Sequence, residues 1–140
     1  MLLRAFAPAD EAAVIALWQR CDLTRPWNDP KKDIARKLKV DPELFLVGMD
    51  EGAIVATAMA GYEGHRGWVN YLAVEPTAQK RGWGRQIMSE VERLLRARGC
   101  PKINLQIRTS NAVAIAFYRQ LGYEVDEAIS LGKRLEHDNA

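Results

Sequence analysis

Leu72-Ala73-Val74-Glu75-Pro76-Thr77-Ala78-Gln79-Lys80-Arg81-Gly82-Trp83-Gly84-Arg85 is the stretch on which the reading of this chain turns. An apolar strand ends at Pro76, a short loop follows, and an amphipathic helix begins just past the two glycines. Helix N-termini leave unpaired N–H groups and a partial positive charge, so such a loop can cradle a phosphate. Gly82 and Gly84 let the backbone approach an anion, and Lys80, Arg81 and Arg85 add charge. Residues 79–99 hold six Lys/Arg and two Asp/Glu, an excess of +4 in a chain of +2, which leaves −2 for the remainder. Positive charge is thus focused on this segment. A bare Gly-x-Gly would equally mark an ordinary helix start with solvated cations; the strand-loop-helix context and the Gln79-x-x-Gly82-x-Gly84 spacing favour the anion site.

Working outward, Ile87, Val91, Leu94 and Leu95 form the apolar stripe of a helix over 84–98, stopped by Gly99 and Pro101. Ile103, Leu105 and Ile107 then alternate with Asn104, Gln106 and Arg108, the period of a strand. Asn111 caps a last helix with Ala114, Phe117, Tyr118 and Leu121 on one face, and Gly122 ends it. A final strand pair is expected near Tyr123–Val125 and Ile129–Leu135. On the N-terminal side, Leu2–Phe6 reads as a strand. Asp10 caps a helix carrying Val14, Leu17, Trp18 and Cys21, and Arg25–Pro30 is a loop. Ile34 and Leu38 mark a shorter helix ending before Pro42. Leu44–Met49 and Ala53–Gly61 are strands joined by the hairpin chemistry of Asp50-Glu51-Gly52, and Glu63–Gly67 turns into the strand Trp68–Val74. The order β-α-α-β-β-β-α-β-α-β-β predicts a single α/β (α+β) domain over 1–140 with a central sheet.

The chain has 140 residues, 48% hydrophobic and 27% charged, enough for one core without disulfides or a structural metal. A net charge of +2 argues against a dedicated nucleic-acid or membrane binder. No apolar run approaches the roughly 20 residues of a membrane span, and no signal segment opens the chain, which predicts a soluble cytoplasmic protein. Cys21 and Cys100 are too distant for a CxxC pattern, and Cys21 reads as a small buried hydrophobe rather than a reactive thiol. With only His65 and His137, no metal site is expected.

These motifs resemble those of the GCN5-related N-acetyltransferase (GNAT) superfamily, whose pyrophosphate signature, Arg/Gln-x-x-Gly-x-Gly/Ala, is matched by residues 79–84. Leu72-Ala73-Val74-x-Pro76 and Asn111-x-x-Ala114-x-x-Phe117-Tyr118-x-x-x-Gly122-Tyr123 match at family spacing and in family order, so the resemblance spans nearly the whole chain. Within the superfamily the chain looks closest to the bacterial YpeA-like acetyltransferases. Cys21-Asp22-Leu23, Arg25-Pro26-Trp27-Asn28-Asp29-Pro30, Gly64-His65-Arg66-Gly67, Gly99-Cys100-Pro101-Lys102 and Leu131-Gly132-Lys133-Arg134-Leu135 carry that likeness.

The resemblance implies the GNAT acyl-CoA N-acyltransferase fold, a central mixed, mostly antiparallel sheet flanked by helices. It implies acetyl-CoA as co-substrate, bound where Trp68–Val74 and Lys102–Arg108 splay apart. Backbone at Leu72, Ala73 and Val74 would meet the pantetheine arm. Gln79, Lys80, Arg81, Gly82, Trp83, Gly84 and Arg85 would hold the pyrophosphate, and Asn111 and Phe117 would complete the donor site. Tyr118 matches the family tyrosine that protonates the departing thiolate, although its place on an amphipathic helix also fits a core aromatic. The position where several relatives carry a basic glutamate, near the start of the fourth strand, is Trp68 here. An indole is no base, which leaves Glu63 and His65 as candidates in that role and Asp29 as another; each also reads as a turn or loop residue. Trp27, Tyr71 and Asp29 are candidates for the acceptor side, with Trp68 as a further aromatic beside them. The implied reaction is acetyl transfer to a primary amine: a small molecule, a protein lysine or a protein N-terminus. A competing reading is a non-catalytic acyl-CoA sensor. A nucleic-acid-binding domain is disfavoured by the total charge. Exposed strand edges and the Leu131–Leu135 tail add a homodimer as an expectation.

Overall fold

The computed structural model describes residues 1–139 and, for Gln79 and Lys80, the backbone alone. Five strands lie side by side in chain order: β1 (Leu2–Ala5), β2 (Phe45–Asp50), β3 (Ala53–Tyr62), β4 (Gly67–Val74) and β5 (Ile103–Leu105). The first four are antiparallel neighbours, and β4 with β5 is parallel, the mixed sheet expected. Helices α1 (Glu11–Arg20) and α2 (Pro30–Lys37) pack on one face, α3 (Trp83–Ala97) and α4 (Ala112–Gln120) on the other.

Periodicity accounts for most of this. Val14, Leu17 and Trp18 recur on one side of α1 and are fully buried with Phe45 and Val47, each worth about 1.5–3 kcal/mol of transfer energy. Ile87, Met88, Val91 and Leu95 do the same for α3 against Ala56, Ala58 and Ala60 of β3, whose small side chains let the helix come close. Glu51 and Gly52 both take positive φ, +50° and +79°, as a two-residue hairpin turn demands.

Local chemistry moves three expectations. Asp10 does not cap α1 with its side chain; its carboxylate turns back to accept the Ala7 N–H at 2.8 Å and pairs with Arg4 at 2.6 and 2.9 Å. The loop expected through Pro30 ends one residue earlier. Pro30 opens α2, where its missing N–H costs nothing, and Asp29 caps that helix by accepting from Lys31 and Lys32 N–H. The final strand pair does not form: among the described residues nothing after Gln120 is helix or strand. Side chains hold this segment along β5 in place of a backbone ladder, Lys102 and Asn104 binding Asp126 at 2.8–3.0 Å and Gln106 meeting Ser130. Its far end is pinned to α2, since Asp138, shielded from solvent, accepts two hydrogen bonds from Arg36 at 2.6 and 3.1 Å.

No described helix is long and apolar enough to cross a membrane.

Candidate active site

The sheet opens between its last two strands. Pairing of β4 with β5 runs Gly67–Ile103, Trp68–Asn104, Val69–Leu105 and stops there, while β4 continues to Val74. The expected Lys102–Arg108 strand is thus shortened to three residues. Beyond Val69 no described strand pairs with that edge of β4, and a slot runs from there toward the start of α3.

A bulge shapes the same stretch. Thr57 pairs with Ala73 and Met59 with Asn70, so two residues of β4, Tyr71 and Leu72, oppose the single Ala58 of β3. Tyr71 sits at φ +51°, a conformation that costs a non-glycine residue about 1–2 kcal/mol. The extra residue shifts the alternation of the strand. Val69, Leu72 and Val74 face the α3 side, whereas Tyr71 and Ala73 face α1 and α2. Buried Thr57 locks this arrangement: its hydroxyl accepts from the Trp18 indole N–H at 2.9 Å and donates to the Tyr71 carbonyl at 2.8 Å. The Tyr71 ring stacks on Trp18 at 3.8 Å, and its hydroxyl donates to Asp33 Oδ2 on α2 at 2.6 Å.

At the far end of the slot lies the glycine loop. Gly82 has φ +77° and nothing within 4 Å of where a Cβ would stand, so space above it is open. It precedes α3, whose start carries no side-chain cap and no acidic residue in its first turn. Among the described residues no side chain caps the N–H groups of Trp83, Gly84 and Arg85, so they can serve an external acceptor. Gly84 has a different reason for being glycine. A Cβ there would stand 2.9 Å from Phe117 Cζ and 3.6 Å from Val74, so this residue lets α4 close onto α3. The Arg81 guanidinium stacks 5.3 Å above the Trp83 ring, and Arg85 is exposed. The side chains of Gln79 and Lys80 lie outside the described residues. Arg20 on α1 ties the loop down through Glu75 at 2.6 Å, and Cys21 donates to the Val74 carbonyl at 3.3 Å; burial pushes that thiol's pKa up.

Tyr118 is buried in the cluster that also holds Leu72, Val74, Leu105 and Ile107, the residues on either side of the slot. Burial raises its pKa well above that of an ordinary phenol, so its proton is retained at neutral pH. Asn111 caps α4 by accepting the Ala114 N–H at 3.1 Å.

The remaining candidates are scattered. Glu63 Oε1 accepts the backbone N–H groups of His65 and Arg66, and both Glu63 and His65 are exposed in the turn before β4. That turn lies four residues, on the order of 13 Å, from the bulge. Trp27 is half exposed beneath the Arg108 guanidinium, and Trp68 is exposed beside Asn104. Of the three aromatics, Tyr71 lines a cleft. This cleft, of about 540 Å³, lies between α2 and the bulged part of the sheet, with Asp33, Arg36, Lys37, Met59 and Asn70 in its walls. Sequence reasoning passed over these residues. The signal was the i, i+3, i+4 spacing of Asp33, Arg36 and Lys37, which puts three charges on one face of α2.

A split sheet, a bulged strand and a glycine-led helix with no side-chain cap meet here, and the comparisons give the chain a family. Residues 12–123 match the acetyltransferase (GNAT) family, and the chain belongs to it. It is 51% identical to an acetyltransferase of Yersinia enterocolitica over 96% of both chains, and 51% identical to one of Pectobacterium atrosepticum over 99% of this chain and 98% of that one. Its fold is shared with AAC(6')-Iy, solved in complex with the bisubstrate analogue CoA-S-monomethyl-acetylneamine. The TM-score is 0.78 at 17% identity, over 95% of this chain and 97% of that chain. The protein is an acetyltransferase.

Proposed function

We propose that the protein moves the acetyl group of acetyl-CoA onto a primary amine by direct attack in a ternary complex, with Tyr118 as general acid. The observation that carries this reading is the parting of β4 from β5 beyond Val69 and Leu105, with the open first turn of α3 at one end. The residues present suit the ligand. The space over Gly82, which a side chain would fill, and the N–H groups of residues 83–85, which no described side chain caps, suit a diphosphate, with Arg81 and Arg85 adding charge. Leu72, Ala73 and Val74 border the slot along which the pantetheine arm would run, with Asn111 and Phe117 on its α4 side.

Tyr118 gives its proton to the sulfur as the C–S bond breaks and the C–N bond forms. The nitrogen sheds a proton to water, and Tyr118 regains one from solvent. A phenol protonated at neutral pH, beside the slot, is what this role requires. The bulge supports the carbonyl end: Tyr71 and Leu72 turn their backbone out of the regular ladder, where an N–H can meet the oxygen that gains charge. Glu63 serves its own turn and His65 is exposed within it, so the amine gives its proton to water in the open cleft rather than to either of them. Tyr118→Phe should lower kcat by about 10²–10⁴-fold with acetyl-CoA affinity unchanged in calorimetry. Unchanged turnover would remove the acid role.

A further inference from the structure

Charge bookkeeping in the cleft beside the bulge singles out one residue. Asp33 has both carboxylate oxygens engaged, Oδ2 by Tyr71 at 2.6 Å and Oδ1 by Arg36 at 3.2 Å. Arg36 is bound twice by Asp138, which Arg134 also approaches at 3.6 Å. Lys37 is different. It is half-buried in the wall of the cleft and makes no hydrogen bond or ion pair with any described residue. The carboxylates nearest to it in effect, Asp41 and Glu43, are both taken by Arg98. Burial lowers the Lys37 pKa, the mark of an ammonium short of solvation.

Position fixes the geometry. The Lys37 Nζ lies 3.5 Å from where a Cβ on Gly61 would stand, and Gly61 pairs with Trp68. Trp68 is three residues before Tyr71 on β4, so the ammonium sits on the order of 10 Å along the strand from the bulge. Asn70, exposed between them, offers an amide to the same space.

We propose that the acceptor is a primary amine that also carries a carboxylate several bonds away, and that Lys37 receives this carboxylate. The amine then reaches the bulge while the acid end is held at the Gly61–Trp68 level. The same cation turns away di- and polyamines, whose second ammonium would have to stand beside Lys37. The inference rests on the amine-acetylating reading above and adds the acceptor's charge to it.

Three acceptors of one chain length test it: 5-aminopentanoate, 5-aminopentanamide and 1,5-diaminopentane, scored by thiol release from acetyl-CoA at low salt. The expected kcat/KM order is carboxylate, amide, diamine, with about tenfold or more between the first two, the size of a charge-assisted hydrogen bond. Lys37→Gln should bring carboxylate and amide within about twofold, through KM, while acetyl-CoA affinity in calorimetry stays at the wild-type value. Lys37→Glu should favour the diamine. The proposal is overturned if the diamine is acetylated as well as the carboxylate, or if the preference survives in Lys37→Gln. It is equally overturned if no carboxylate amine turns over in a protein that binds acetyl-CoA, an outcome that leaves the donor reading intact. A folded protein that does not bind acetyl-CoA would remove that reading and this one with it.

Discussion

Thr57 shows how much one side chain can carry. It is a strand residue of ordinary appearance, yet its hydroxyl joins the Trp18 indole to the Tyr71 carbonyl and so fixes a bulge that Tyr71's backbone would otherwise resist. Thr57→Val keeps the shape and removes both hydrogen bonds, leaving a buried donor and acceptor unpaired. Denaturant unfolding should show a loss of about 1–3 kcal/mol, with Thr57→Ser retaining most of the stability. A Thr57→Val protein as stable as wild type would mean the bulge is held by packing alone. None of this was legible in the sequence. Asn70-Tyr71-Leu72 contains no glycine to mark a positive φ, and a threonine in a strand needs no special explanation. Tyr118, by contrast, was reached through the resemblance of its Asn111–Tyr123 motif to the family's, and the structure adds that burial pushes its pKa up.

At the scale of elements, the two glycines of the 79–84 signature divide the labour. Gly82 supplies the left-handed turn and the open space; Gly84 lets α3 and α4 touch. Gly84→Ala should therefore act on packing, costing about 1–3 kcal/mol as Phe117 is displaced, and Phe117→Leu in the same chain should recover part of that loss. Additive losses in the double variant would contradict the contact. Helices and long strands were legible because their apolar period is strong: α3 and β3 fall within about a residue of expectation. The last strand pair was not. Ile129, Leu131 and Leu135 sit at odd positions like a strand's inner face, but in the fold all three are more than 80% exposed, so the alternation has no core behind it. Asp29 and Glu63 were plausible site carboxylates in the sequence; a helix cap and a tight turn claim them, uses that only coordinates separate from catalysis.

For the whole molecule, the C-terminal segment works as a strap. It runs beside β5 from Asp126 to Ser130 and reaches α2 and the α1–α2 loop, where Asp138 binds Arg36 and Asn139 donates to the Pro26 and Asn28 carbonyls at 2.6 and 3.0 Å. The Arg36 guanidinium holds the Asp138 pKa down at about 2, against 3.8 for a free side chain. A carboxyl with a depressed folded pKa stabilises above its unfolded value and ceases to do so as pH falls through the folded one. Strap anchoring should thus be complete above about pH 4 and disappear between pH 4 and 2. An NMR carboxyl titration should place the Asp138 midpoint near 2, and Asp138→Asn should speed amide exchange at residues 26–29 at neutral pH; a midpoint at 3.8 would show that the clamp does not persist in solution.

The split sheet and the glycine loop carry the central claim, so the direct test is titration of the protein with acetyl-CoA by calorimetry beside Gly82→Glu. That side chain would occupy the open space over residue 82 and set a negative charge against a diphosphate. The account predicts one-site binding by the wild type and its loss in a folded Gly82→Glu protein. Equal binding by both would contradict the placement of the donor site, and no binding by the wild type would contradict the donor itself.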